Sequence, residues 1–328
     1  MKRTVPVVIA ATAALALSAC GGGALSGDDS SSAAAGSSDL TALSVGVIPI
    51  VDTAPIWLGK EQGFFEDEGI DLDIQTTTGG AAAVPGVVSG DFQFAFGNVV
   101  SVMVANDKGL NLEFVSNGNS TTGDTTSDFG AVVVPADSDI ETAADLAGKT
   151  VSVNNLSNIG DTTIRKVVEN AGGDQESIKF VEIPFPDAPA AIEGGQVDAA
   201  WILDPFLTQS VDDGARVIAY NFAETHPNLD ISGYFTSQQY AQENPELVEK
   251  FTAAMKKSLE YSQENPDAVR EIVGTYTKID EEMRAKMILP TFRPGFDREG
   301  LTVLGEAAAS YGTLSKAPDL DAMLPAQD

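Results

Sequence analysis

"TVSVNNLSNIGDTTIRKVVENAG", residues 150–172, decides the fold. Residues 150–154 carry β-branched side chains in the pattern of a short strand, and 160–171 have the apolar spacing of a helix. Three Asn and the breakers Ser157 and Gly160 stand between them. A strand that passes through a short polar loop into a helix is the unit of a parallel sheet covered by helices. Asn158 as N-cap places Asp161 at the third helical position, a variant of the capping box. The N–H groups of such a helix start, with the partial charge of the aligned peptides, suit an anionic head. Asp161 itself occupies part of that potential.

The same alternation extends both ways. Upstream, strands are expected at 43–48, 71–76, 92–96 and 111–116, with helices at 55–69, 80–89 and 98–108. A polar, Gly-rich stretch covers 117–130. Strands then recur at 131–135, 150–154, 178–183, 198–203 and 216–220, with helices at 141–147, 160–171, 187–194 and 205–212. A second irregular stretch spans 221–233, and the remainder to 328 is mostly helical, restarting after each of two "ENP" breaks at 243–245 and 264–266. "SGDFQFAF" (89–96) aligns with "GGQVDAAW" (194–201), matching Gly90 with Gly195, Gln93 with Asp198 and Phe96 with Trp201. Each copy lies between a short helix and a strand that ends at an aromatic. The expected architecture is therefore α/β, with two hinged lobes that are each a mainly parallel sheet flanked by helices. Residues 43–130 with 232–328 form lobe 1, and 131–231 form lobe 2. Ligands of open α/β sheets sit beyond the carboxyl ends of the strands, so the cleft between the lobes collects both sets.

The 328 residues include 19 Lys and Arg against 48 Asp and Glu, a net charge of −29. That balance argues against nucleic acid, whose phosphates need clustered cations. There is one Cys, Cys20, and one His, His226. Zinc sites of the Cys/His type are excluded, a Ser-His-Asp triad would have to use His226, and no cofactor or metal is implied. Residues 5–17 are an apolar run behind Lys2 and Arg3, the pattern of a signal peptide over 1–19. Leu17-Ser18-Ala19-Cys20 looks like a bacterial lipobox, which makes Cys20 the lipidation site and the first mature residue. Residues 20–42, rich in Gly, Ser and Ala, read as the lipidated Cys and a flexible tether. An exported body held to the outer face of the cytoplasmic membrane by its lipid is expected.

"GVIPIVDTAPIWLGKEQGFFEDEGIDLDI", "VSGDFQFAFGN", "DLAGKTVSVNNLSNIGDTTIRKVVENAGGD", "AAIEGGQVDAAWILDPF" and "ENPELVEKFTAAMKKSLEYSQENP", in this order, carry a family resemblance over about 43–310. The chain resembles the solute-binding proteins of ABC importers, in the nitrate, sulfonate, taurine and pyrimidine-precursor group. Asp-Pro-Phe at 204–206 stands where that group often has Glu-Pro-Phe. The resemblance implies a hinged periplasmic-binding-protein type II fold that delivers a small solute to a membrane permease and its ATPase, with no catalysis. Monomers are expected, since a hinged cleft must open. Related pyrimidine-precursor synthases and ligand-sensing receptor modules share the fold and are the alternatives.

By strand-end position, the loop containing Ile50, Asp52 and Thr53 faces the cleft, where Asp52 and Thr53 either cap the following helix or meet ligand. Trp57, one turn on, walls the pocket or packs the core. Gly97 allows a ligand close to the backbone and Asn98 donates and accepts, or serves as N-cap. Asn117 and Asn119 open the first crossing. Asn154, Asn155 and the segment with Asn158, Ile159 and Gly160 form the helix start. Phe185, Asp187, Trp201 and Asp204 end the next two strands, and Tyr234 lies at the second crossing. No Arg or Lys falls in these loops; Lys60, Arg165 and Lys166 lie inside helices. The expected ligand is a small polar organic solute. Its acceptor end would meet the Asn158–Gly160 helix start and any amino group Asp52, Asp187 or Asp204. Sulfonate, taurine, nitrate, aromatic acid and aminopyrimidine all stay open.

Overall fold

A computed structural model describes residues 40–325. The leader over 1–19, Cys20 and the tether up to residue 39 lie outside the described residues. Along the chain the strands are β1 (Thr41–Val47), β2 (Ile70–Thr76), β3 (Phe94–Asn98), β4 (Leu112–Ser120), β5 (Gly130–Val134), β6 (Thr150–Val153), β7 (Lys179–Glu182), β8 (Ala199–Leu203), β9 (Arg216–Ala219) and β10 (Asp230–Ser237). They form two five-stranded sheets, ordered β2-β1-β3-β10-β4 and β7-β6-β8-β5-β9. In each sheet four strands run together, and β10 or β5 runs against both its neighbours. The reversed strand has a simple cause. It is the first strand the chain builds after crossing from the other sheet. The crossing ends beside the carboxyl ends of the parallel strands, where Gly130 opposes Leu203 and Ser232 opposes Asn98, so the new strand must run away from the cleft.

The internal repeat occupies equivalent places in the two sheets. Gly90 and Gly195 both adopt left-handed backbone (φ 83° and 63°), as a helix C-terminus before a tight turn requires. Gln93 Oε1 accepts from the backbone N–H of Ser44 at 2.8 Å, and Asp198 Oδ2 accepts from Thr150 N–H at 2.7 Å. The matched pair Gln93/Asp198 thus ties the central strand of each sheet to its parallel neighbour, β1 or β6, in the same way.

Two α/β lobes are present, each sheet flanked by helices, as expected. Local departures each have a cause. The helix expected over 55–69 is a 3-10 turn (Val51–Thr53) and the helices Ala54–Glu61 and Phe64–Asp67, broken at Gly63 by its positive φ of 77°. The helix at 141–147 is a 3-10 turn, Ala143–Leu146, held by a Thr142/Asp145 capping box. The polar stretch 117–130 begins as strand, because β4 continues to Ser120 with Asn117, Asn119 and Ser120 all buried. The stretch 221–233 contains the helix Asn221–Thr225 and the start of β10. Thr41 and Ala42, placed in the tether, already belong to β1. The helices Pro245–Glu264 and Pro266–Tyr276 each begin at the Pro of an "ENP" break, where a missing N–H costs nothing. Both pack against Ala54–Glu61 of the first lobe, while Arg298–Ser310 lies against Ile159–Asn170 of the second. Among the described residues no helix is long and apolar enough to cross a membrane.

Candidate functional site

The carboxyl ends of β1, β3, β6 and β8 converge on one small cavity between the two sheets. The first lobe contributes Ile48, Ile50 and Asp52 after β1, Gly79 and Gly80 after β2, Phe96, Gly97 and Asn98 at the end of β3, and Ile231 and Ser232 of β10. Asn154, Ile159, Phe185, Trp201 and Leu203 come from the second. Its volume is about 30 Å³, and hydrogen bonds cross the cleft around it. The lobes are thus closed on each other. Val51 N–H donates to the Asp204 carbonyl (3.1 Å), Ile288 N–H to Asp204 Oδ2 (2.9 Å), and Tyr311 Oη to Glu169 Oε2 (2.6 Å). Ser101 and Asn158 side chains meet at 3.1 Å, and Lys286 pairs with Asp212 at 2.8 Å.

Asp52 is the one ionisable residue of the lining. It is buried; Asn119 Nδ2 donates to its Oδ1 at 2.9 Å, and its Oδ2 has no partner. Burial pushes its carboxyl up to about 7, with Asp128 and Asp204 adding to the rise against the hydrogen bond from Asn119. Asn119 is held in turn by the Ser232 hydroxyl, which donates to its Oδ1. Neither Asp52 nor Thr53 caps the following helix by its side chain. The buried Thr53 hydroxyl donates to the Ile48 carbonyl at 2.9 Å, fixing the turn that presents Asp52.

Aromatic walls come from both lobes. Phe96 and Trp201, the matched ends of the repeat, both line the cavity, and Phe185 meets Trp201 edge-on at 5.2 Å. Asn98 does two things: it lines the cavity and its Oδ1 accepts from Ser101 N–H at 2.9 Å as N-cap. Gly97 packs backbone to backbone on Gly80, where a Cβ would come within 2.8 Å of the Gly80 Cα.

The helix start at 158–160 is capped by its own side chains. Asn158 and Asp161 form the anticipated capping box, and Asn158 Oδ1 accepts from Ile159 N–H at 2.9 Å. The Ile159 N–H is thus taken by Asn158; Ile159 lines the cavity, while Asn158 and Gly160 stand outside the lining. Gly160 lies against the Trp201 ring instead, and Asn155 lies against Gly79, its Oδ1 buried without a partner. The helix Gly80–Ser89 starts without a side-chain cap, and its Gly79 and Gly80 line the cavity.

Five further candidates are placed elsewhere. Asn117 turns away, its Nδ2 donating to Asp230 (3.0 Å) and the Gly295 carbonyl (2.7 Å) in a cluster completed by Arg293 and Ser120. Trp57 stacks on Tyr276 at 4.9 Å, and Tyr276 Oη donates to the Ile50 carbonyl at 3.0 Å, so this pair braces the Asp52 loop from behind. Asp187 is exposed and caps nothing. Asp204 is buried, accepting from Thr208 N–H (2.9 Å) in the first turn of Phe206–Asp212 as well as from Ile288, and burial pushes it up to about 6. Tyr234 is buried edge-on to Phe96, its hydroxyl unpartnered and pushed above the ordinary phenol value by burial. Sequence reasoning missed Ile48, Gly79, Gly80, Leu203, Ile231 and Ser232. The Gly-Gly pair directly after a strand was a usable signal; β10 was hidden in a stretch read as irregular. Among the described residues no group of three or more His, Cys, Asp or Glu is placed to hold a metal.

Comparison with known proteins gives a consistent picture. The formylaminopyrimidine-binding protein of Halalkalibacterium halodurans is 24% identical over 210 residues, covering 62% of this chain; the chain spans 61% of that relative's length. Among solved structures, the alkanesulfonate-binding protein SsuA of Xanthomonas axonopodis superposes with TM-score 0.72 at 16% identity, covering 87% of this chain and 98% of the other. The nitrate-binding protein NrtA of Synechocystis superposes with TM-score 0.70 at 15% identity, covering 87% and 86%. At such identities the likeness establishes the periplasmic-binding-protein fold. The NMT1/THI5 like family pattern matches residues 50–269, and the chain belongs to that family.

Proposed function

We propose that this chain is the solute-binding subunit of an ABC importer, a non-catalytic receptor that closes its two lobes on a small polar organic solute and presents it to a membrane permease. The observation that carries the reading is the cavity itself, lined by strand ends of both sheets and closed by hydrogen bonds across the cleft. A ligand touching both lobes favours the closed state. We assign the lobes as 41–129 with 230–325 and 130–229, the expected bounds shifted by the strands Thr41–Val47, Gly130–Val134 and Asp230–Ser237. Lipidation of Cys20 tethers the monomeric body to the outer membrane face, which keeps it beside its permease.

The test is thermal unfolding of the purified protein with sulfonates, taurine, nitrate, bicarbonate, aromatic carboxylates and aminopyrimidines, with each solute assayed for chemical change. A solute at 100 times its dissociation constant adds about 2.7 kcal/mol of stability. One solute that stabilises the protein and is recovered unchanged supports the reading; turnover of a bound solute rejects it.

A further inference from the structure

We propose that Asp52 chooses the solute: its free Oδ2 takes an N–H donor from a neutral or cationic nitrogen compound, and simple anions are refused. The inference rests on the cavity being the solute site. Three observations lead to it. Asp52 alone among the lining residues can carry charge, and the lining holds no Lys, Arg or His to neutralise an anion. Its two oxygens are unequal, Oδ1 being held by Asn119 and Oδ2 being buried without a partner. A buried acceptor left unmade is costly, and a ligand N–H relieves that cost. The anchoring is deep: Ser232 orients Asn119, and the stacked Trp57 and Tyr276 brace the loop, so the carboxyl cannot swing out to water without disturbing β4, β10 and the helix Pro266–Tyr276.

The surroundings work in the same direction. The groups acting on Asp52 are the carboxyls of Asp128 and Asp204 and the phenols of Tyr234 and Tyr276, none of them cationic. A monoanion about 4 Å from an ionised Asp52 would bind about a thousandfold less well in a medium of intermediate dielectric. An N–H donor has the opposite effect and holds the ionised form. Phe96, Phe185 and Trp201 supply flat apolar walls, and the uncapped helix start at Gly80 can meet an acceptor atom at the other end of the same solute. A flat heterocycle with an exocyclic amino group and a ring or carbonyl acceptor satisfies all of these groups together.

The sign of proton exchange tests this directly. The purified protein is titrated calorimetrically near pH 7 in two buffers of different ionisation enthalpy. The donor probes are a formylaminopyrimidine and 4-aminopyrimidine; the anion probes are methanesulfonate, nitrate and bicarbonate. A donor probe is expected to bind with release of protons, because donation to the carboxylate favours its charged form. Asp52→Asn keeps the bond from Asn119 and replaces the free acceptor with an N–H. It should abolish proton release, weaken the donor probe by about 10- to 100-fold, and improve binding of the anions, with no loss of melting temperature. Anion binding with proton uptake by the wild type overturns the proposal and leaves the binding-protein reading intact. Equal donor affinity in wild type and Asp52→Asn also overturns it. Folded wild type that binds no probe rejects the solute-site reading itself.

Discussion

A carboxyl shut away from water prefers its proton, and this protein buries two of them where its lobes meet. Asp52 rises from an ordinary 3.8 to about 7 and Asp204 to about 6, in both cases chiefly through burial. The folded state therefore binds protons that the unfolded chain has already lost. Between about pH 4 and pH 7 the unfolded state binds fewer protons, so stability falls as pH rises through this range. For Asp52 alone the difference is worth about 4 kcal/mol. Denaturant midpoints from pH 5 to pH 8 should fall for the wild type and fall less for Asp52→Asn, which should be the more stable protein at pH 8. Parallel curves would show that Asp52 ionises freely. The unpartnered Oδ2 of Asp52 lies beside the cavity. Asp230 shows the contrasting solution. It is equally buried, but Arg293 pairs with it at 2.7 Å and Asn117 and Ser120 donate to it. From the sequence, Asn117 and Asn119 were indistinguishable polar residues in a polar stretch. What separates them is the partner each meets, Asp230 for one and Asp52 for the other, and both partners lie far away along the chain.

At the level of elements, the approach of the helix Ile159–Asn170 to β8 is set by one missing side chain. A Cβ on Gly160 would lie 2.5 Å from Cε3 of Trp201. In an exposed helix, Gly→Ala adds up to about 1 kcal/mol of stability. Here overpacking reverses the sign, and Gly160→Ala should cost about 1–3 kcal/mol in urea unfolding. Trp201 should move as well, changing the protein's indole fluorescence; a stabilised variant with unchanged fluorescence would refute the close packing. The elements most legible in the sequence were those with a repeat or a cap to mark them. Asn158 with Asp161, the Pro residues after the "EN" pairs, and the two copies of the strand-end unit all placed helices and strands correctly, because each signal acts within a few residues. The site was legible as a set of strand ends, and Ile50, Asp52, Gly97, Asn98, Ile159 and Trp201 do line one cavity. Trp57 escaped because its ring finds Tyr276 more than two hundred residues later. The second half of β4 and the start of β10 escaped because their polar residues are buried against one another, which local composition reads as a solvated loop.

For the molecule as a whole, the same two carboxyls tie proton binding to the position of the lobes. Asp204 sits at the end of β8, in the second sheet, yet its carbonyl and Oδ2 accept from Val51 and Ile288 across the cleft. Asp52 lines the first-lobe side of the cavity. Parting the lobes gives both carboxyls water, which lowers their pKa towards the ordinary carboxylate value. The closed form therefore holds protons more tightly than the open form, and by linkage low pH favours closure. The polar contacts at the rim, Tyr311 with Glu169 and Lys286 with Asp212, are partly exposed and screened by water, so they do not override this effect. Small-angle scattering of the solute-free protein should give a smaller radius of gyration at pH 5 than at pH 8. The change should fall between about pH 4 and pH 7, between the ordinary carboxylate value of the open state and the closed-state values of about 6 and 7. Asp204→Asn should shrink the pH-dependent change, and combining it with Asp52→Asn should remove it. A neutral N–H donor solute reverses the preference of Asp52 by holding its charged form in the closed state, so with such a solute present the protein should stay compact at pH 8. A radius that ignores pH in the wild type, or a change that persists in the double variant, would place the control of closure outside these two carboxyls.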